Sequence, residues 1–132
     1  MIKAFKLLIK TGGDLYSLGK GKYYREDGEL TLDVGPFTAA LEYATEKDAI
    51  VVGKPAAEFF LTALSDMGCP PAEAVMVGDD ITSDVGGAQK CGIQGVLVRT
   101  GKYRPSDEQH HSVTPDLIAD NLSHFVDILL SS

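Results

Sequence analysis

Three carboxylates lie within six residues in Gly78-Asp79-Asp80-Ile81-Thr82-Ser83-Asp84, directly after the apolar run Ala74-Val75-Met76-Val77. Clustered hard oxygens beside a turn-permitting glycine suit a cation such as Mg²⁺. Ile81, Val85 and Ala88 then recur at helical spacing, so the stretch reads as strand, loop and helix. Ligands of open α/β sheets bind at the carboxyl ends of strands, where this cluster stands, and Asp79 is the best placed direct metal ligand. The same residues have an ordinary structural use. Asp79 could cap the helix, Asp80 could favour its first turn, and Asp84 could face solvent.

A second charged group decides between these readings. Lys54 follows the continuous apolar run Ala49-Ile50-Val51-Val52, the pattern of a strand buried on both faces of a parallel sheet. Pro55 suits the first turn of the helix that comes next. A lysine at such a strand end can hold a phosphate with its point charge, although alone it could equally be a solvated loop residue. Between Lys54 and the acidic cluster, Ala56, Phe59, Phe60, Ala63, Leu64 and Met67 form a helical stripe, closed by Gly68 and Pro70-Pro71. Strand, helix, strand predicts a right-handed parallel crossover. Lys54 and Asp79 would then end neighbouring strands, within one or two spacings of about 5 Å.

The remaining elements frame this unit. Met1 to Lys10 places Ile2, Phe5 and Ile9 on one side of a short helix that Thr11-Gly12-Gly13 stops. Leu15 to Leu18 reads as a strand, and Lys22 to Arg25 and Glu29 to Leu32 as a hairpin turning through Glu26-Asp27-Gly28. Tyr23 and Tyr24 could touch a ligand or simply surface that sheet. Pro36 opens a helix with a stripe of Phe37, Ala40, Leu41 and Ala44. After the acidic-site helix ends at Gly92, Gln94 to Val98 is another parallel strand, and Thr100-Gly101-Lys102 at its end could form part of a rim. A polar loop runs from Arg99 to Val113, Pro115 to Ala119 could be a short edge strand although Pro115 limits its pairing, and Asn121 caps a last helix striped by Leu122, Phe125, Val126, Leu129 and Leu130. The predicted fold class is α/β, three layers around a parallel Rossmann-like sheet, with residues 47–132 forming its core and residues 1–46 a separate α+β part.

Composition narrows the function. The 132 residues carry a net charge of -7 without a basic block, which argues against nucleic acid. There is no apolar run of membrane-spanning length and no signal-peptide pattern, so the expected setting is cytoplasmic, with the nucleus also open to it. Cys69 and Cys91 read as free thiols, and His110, His111 and His124 have no zinc spacing.

Gly53-Lys54-Pro55, Gly78-Asp79-Asp80 with Asp84, and Val98-Arg99-Thr100-Gly101-Lys102 together resemble the haloacid dehalogenase superfamily of phosphatases. The segments Leu18 to Tyr24, Leu32 to Pro36 and Arg104 to Glu108 bring the chain nearer to a branch acting on phosphoproteins and pyrophosphate. The resemblance implies phosphoryl transfer to an aspartate, with Mg²⁺ as cofactor and hydrolysis of the aspartyl phosphate by water. Lys54 would orient the nucleophile and bind the substrate phosphate, and Asp80 would share the catalytic machinery. Asp79 and Asp84 would serve the metal, Asp79 directly, with Asp80 and Asp84 acting through water or hydrogen bonds. Substrates would be a phosphorylated small molecule, a phosphoprotein or pyrophosphate. Residues 1–46 would be the rear part of the cap that closes over substrate.

One part of the family pattern is missing. The superfamily's nucleophile and general acid come from an Asp-x-Asp pair after the first core strand, and none of the aspartates here has another two places on. The expectation is a carboxyl-terminal half, inactive alone, or else a non-catalytic module that binds Mg²⁺ or dimerises. The absent first strand would lie beside Val75 to Val77, leaving an open apolar edge that invites a homodimer.

Overall fold

In a computed structural model, which describes residues 1–131, seven short strands and five α-helices follow in the order α1 (Ile2–Thr11), β1 (Tyr16–Ser17), β2 (Tyr23–Glu26), β3 (Glu29–Leu32), α2 (Val34–Thr45), β4 (Ile50–Val51), α3 (Ala57–Met67), β5 (Val75–Gly78), α4 (Gly87–Lys90), β6 (Gln94–Val98), β7 (Leu117–Ala119) and α5 (Leu122–Leu130). The fold is α/β with parallel pairing, in the order β5-β6-β7 for the main sheet. Val75 pairs with Gln94 and Val96 with Leu117, both in parallel register. The expected hairpin forms between β2 and β3, where Asp27 and Gly28 both take positive φ (49° and 85°), as a two-residue turn of this hand requires.

β4 departs from expectation. It pairs with β1 in a separate two-stranded parallel sheet, Tyr16 against Ile50 and Ser17 against Val51, and is not bonded to β5. Lys54 and Asp79 therefore do not end hydrogen-bonded neighbours, and the simple crossover read from strand, helix and strand is not formed. The physical reason is local. Ser17 Oγ is hydrogen-bonded to Thr38 Oγ1 at 2.7 Å inside the contact with α2, and Val52 N donates to Ser17 O, so β4 is held on the β1 side. A continuous apolar run marks a buried strand without saying which sheet buries it.

Two small cores sit on either side of the segment that follows β5. Phe60, Leu64, Ala88 and Ile93 form one, between α3 and α4. Ile81, Val85 and Leu97 form the other, against β6, with Tyr103, Val113 and Ile118 around them. Gly87 and Gly95 are needed at these contacts. A Cβ on Gly87 would press on the Phe60 ring at 2.8 Å, and one on Gly95 would meet Val85 at 2.7 Å. The stripe expected on α3 is half right, since Phe60 and Leu64 are buried while Phe59 and Met67 face out. In α2 the buried positions are Gly35, Thr38 and Leu41, not Phe37, Ala40 and Ala44. Ile2 and Ile9 of α1 and most of the α5 stripe are also exposed. β5 lies at the sheet edge, as expected for Val75 to Val77. Cys69 and Cys91 are both free.

Candidate active site

The site is built on the turn after β5. From Asp80 the chain enters a widened, π-helical turn (Ile81–Gly86) before settling into α4. Val85 N donates to Asp80 O five residues back, and such widened turns occur often at functional sites. The capping role foreseen for Asp79 falls to Asp80. Its Oδ1 accepts from Thr82 N (3.0 Å), Ser83 N (2.9 Å) and Thr82 Oγ1 (2.9 Å). Asp84 does not face solvent. It is 3% exposed and turned back under β5, against Gly78, where any Cβ would run into its carboxylate.

Lys54 meets the cluster at Asp84. Its Nζ lies 2.7 Å from Asp84 Oδ1, and Asp84 Oδ2 accepts from Asp80 N at 3.2 Å. The backbone that aims Lys54 is fixed by its neighbours. Lys20 N donates to Lys54 O, and Gly53 lies so close to Leu18 O that only glycine fits. Lys54, Asp79, Asp80 and Asp84 thus line one cavity of about 410 Å³, together with Asp33 and Lys102. The four residues singled out from sequence converge, although by a route other than adjacent strands.

Lys102 is the participant that sequence reasoning left as a possible rim. Its Nζ donates to Asp80 Oδ2 at 3.0 Å, its backbone N–H donates to Asp79 Oδ2 at 2.8 Å, and Asp33 Oδ2 lies 4.0 Å from the ammonium. Gly101 allows that approach, with φ +51° and no room for a Cβ beside the Asp79 carboxylate. The signal was its place: a glycine-lysine pair at the carboxyl end of β6, on the same sheet edge as Asp79. Burial pushes the Asp80 carboxyl up, but the Ser83 amide, the Lys102 ammonium and Thr82 together bring it below its ordinary value. For Lys102, burial pulls down and is outweighed by Asp80, Asp33 and Asp79, so the ammonium is held above its ordinary value.

Mg²⁺ is bound typically by one or two carboxylates, with water and substrate oxygens completing the shell. Among the described residues only Oδ2 of Asp79 is hydrogen-bonded, so Oδ1 remains for an ion. Asp80 and Asp84 are already committed to Lys102 and Lys54, and no group of three acidic, histidine or cysteine side chains among the described residues has the geometry of a protein-only metal cage. The donor set fits an ion held chiefly through Asp79 and completed by substrate and water.

Among the described residues no helix is long and apolar enough to cross a membrane. An acidic cluster at a strand's carboxyl end, with two lysines around one cavity, accompanies membership of the haloacid dehalogenase-like hydrolase family, to which the chain belongs: the HAD-hydrolase-like family model matches residues 51–125. The chain is 58% identical over 131 residues to the phospholysine phosphohistidine inorganic pyrophosphate phosphatase of Xenopus laevis, covering 98% of this chain and 48% of that protein. It spans about half the length of the curated relatives it matches. Among solved structures it is similar to a p-nitrophenyl phosphatase from Archaeoglobus fulgidus, with a TM-score of 0.80 and 24% identity over 96% of this chain and 50% of that one, a likeness of fold. It is also similar to a glycerol phosphate phosphatase from Mycobacterium tuberculosis in complex with magnesium, with a TM-score of 0.75 and 26% identity over 93% of this chain and 37% of that one.

Proposed function

We propose that these residues form the phosphate- and metal-binding half of a Mg²⁺-dependent phosphohydrolase that acts on phosphohistidine, phospholysine and inorganic pyrophosphate through an aspartyl phosphate. The observation that carries this reading is the convergence of Lys54, Asp79 and Asp84 on one cavity. Phosphoryl transfer asks a protein mainly for positioning and charge stabilisation. Lys54 uses one of its three ammonium hydrogens on Asp84, which leaves two for phosphate oxygens. Asp84 thereby sets the direction of the ammonium. Asp79 would hold Mg²⁺ through Oδ1, and Asp84 would support the ion through water. Bound there, the ion neutralises phosphate charge. Asp80, kept ionised and capping its own turn, holds Lys102 in place, and the Lys102 amide in turn holds Asp79.

The 132 residues contain no Asp-x-Asp, so the reading assigns them binding without turnover. The curated relative's printed name supplies the substrate class. Calorimetric titration with pyrophosphate, with and without Mg²⁺, tests the binding, and phosphate release from pyrophosphate and phosphohistidine tests the turnover. The expected result is Mg²⁺-dependent binding, weakened by Asp79→Asn and by Lys54→Met, with no release. Robust release by this chain, or binding indifferent to both substitutions, overturns the reading. The open edge of β5 favours a second one, a non-catalytic module that pairs with another copy of itself. Sedimentation showing a dimer with no Mg²⁺ binding would favour it.

A further inference from the structure

A second, smaller cavity of about 60 Å³ lies across Asp79, Asp80 and Lys102 from the large one and shares those three residues as a wall. Its other side carries Lys22 and Tyr23 from the hairpin and His110 from the loop before β7. We propose that Lys22, Tyr23 and His110 form an anion subsite that takes the second phosphoryl group of a condensed phosphate whose first group sits beside Lys54 and Asp79. The inference rests on the function proposed above and adds a place for the leaving group.

Three observations support it. The first is free donors: no ion pair or hydrogen bond of the Lys22 ammonium or the Tyr23 hydroxyl is found among the described residues. His110 Nδ1 accepts from Ser112 N at 3.4 Å, which leaves Nε2 to carry the ring proton and donate. The second is size. One water needs about 10–15 Å³ of such space, so 60 Å³ takes a compact group of about four or five heavy atoms, the size of a phosphoryl. A phosphoryl offers three strong acceptor oxygens to three separate donors. The third is the state of the acids on the wall. Asp80 is paired with Lys102, and Asp107 Oδ2 accepts from Arg104 N at 2.7 Å. A backbone amide does not discharge Asp107, so Asp79 and Asp107 both stay negative; Mg²⁺ at Asp79 would turn the lining, with Lys22, net positive, so occupancy of the subsite should require the ion.

Orthophosphate goes first to the large cavity, beside Lys54 and a Mg²⁺ at Asp79, and pyrophosphate spans both. Titrations of each, in Mg²⁺, on the wild-type chain, Lys22→Ala, His110→Ala and Lys54→Met distinguish the sites. Loss of one charge-assisted hydrogen bond should weaken pyrophosphate about tenfold in Lys22→Ala and several-fold in His110→Ala, with orthophosphate unchanged. Lys22→Arg should restore most of the loss. Lys54→Met should weaken both ligands. Lys22 is exposed, so wild-type thermal midpoints will show that Lys22→Ala and His110→Ala fold, and a cooperative transition at a lower midpoint will show it for Lys54→Met. Pyrophosphate affinity unchanged in Lys22→Ala and His110→Ala, while Lys54→Met loses it, overturns the subsite and leaves the proposed function standing. A wild-type chain that binds neither ligand in Mg²⁺ overturns both. Equal weakening of orthophosphate and pyrophosphate by Lys22→Ala overturns the subsite as well, because it would mean general electrostatic attraction.

Discussion

Lys54→Met should destabilise the fold by about 1–2 kcal/mol, a value bracketed by two limits. Breaking a fully buried ion pair costs about 3–5 kcal/mol, because a charge is left in a poor solvent, whereas exposed pairs contribute about 0–1 kcal/mol. This pair has one end in each regime: the Asp84 side chain is 5% exposed and the Lys54 side chain 39%, with the distance 2.7 Å. Losing the ammonium leaves Asp84 with the Asp80 amide on Oδ2 and with Oδ1 facing a cavity that water can enter, so the penalty falls well short of the buried limit. Urea unfolding at neutral pH reads the change as a shift in midpoint at constant slope. Asp84→Asn in the Lys54→Met background should then cost less than in the wild type, with a coupling of about 1 kcal/mol in the double-mutant cycle. A midpoint for Lys54→Met within about 0.3 kcal/mol of wild type, or strictly additive substitutions, would refute the claim that Asp84 depends on Lys54.

Three further outcomes follow from the same geometry. The Asp80 carboxyl is held below its ordinary 3.8, so its contribution is present above that pH and is lost as pH falls through the lower folded value; Asp80→Asn should flatten the acid limb of a stability-against-pH curve. The Lys102 ammonium is held above 10.5, so its contribution is complete below that pH and is lost as pH rises through the higher folded value, and Lys102→Met should remove that alkaline limb. Gly101→Ala forces both a strained backbone and a clash with Asp79, so Mg²⁺ affinity measured by titration should fall about tenfold or more, with unfolding shifted by about 1 kcal/mol. Hydrogen exchange should find Val75 to Val77 of edge strand β5 less protected than Val96 to Val98 of central strand β6; equal protection would mean that something covers the edge.

Sequence reading did best where a local rule was sufficient. The hairpin turn at Gly28 and the Gly12 and Gly68 helix stops depend on backbone geometry that few other residues tolerate, and they stand where they were read, except that Glu26 joins the strand and leaves Asp27-Gly28 as the turn. The acidic loop after β5 was legible as strand, loop and helix because an apolar run, a glycine and then a helical spacing of apolar residues follow one another there. Partner choice was not legible. The apolar run of β4 carries no record of which sheet receives it, and pairing with β1 depends on Ser17 and Thr38, 21 residues apart. The helical stripes were drawn from hydrophobicity alone, so Thr38 and Gly35, which pack in α2 for reasons of size and hydrogen bonding, were passed over in favour of Phe37. Lys102 was underweighted because a lysine after a glycine in a long loop looks ordinary until Asp79 and Asp80 are seen on either side of it.

The Arg25 side chain braces its own hairpin at Gly28 O (2.7 Å) and reaches across to Gly101 O (2.8 Å), on the loop whose next amide holds Asp79. The hairpin that carries Lys22 and Tyr23 is therefore tethered to the Asp79 carboxylate through the main-chain carbonyl of Gly101, a position where no side chain fits. Ligand preference can drift by exchange of hairpin side chains while the tether and the acidic turn stay as they are. Inherited variation in such a chain should accumulate on the hairpin tips first, and reach Gly101 last.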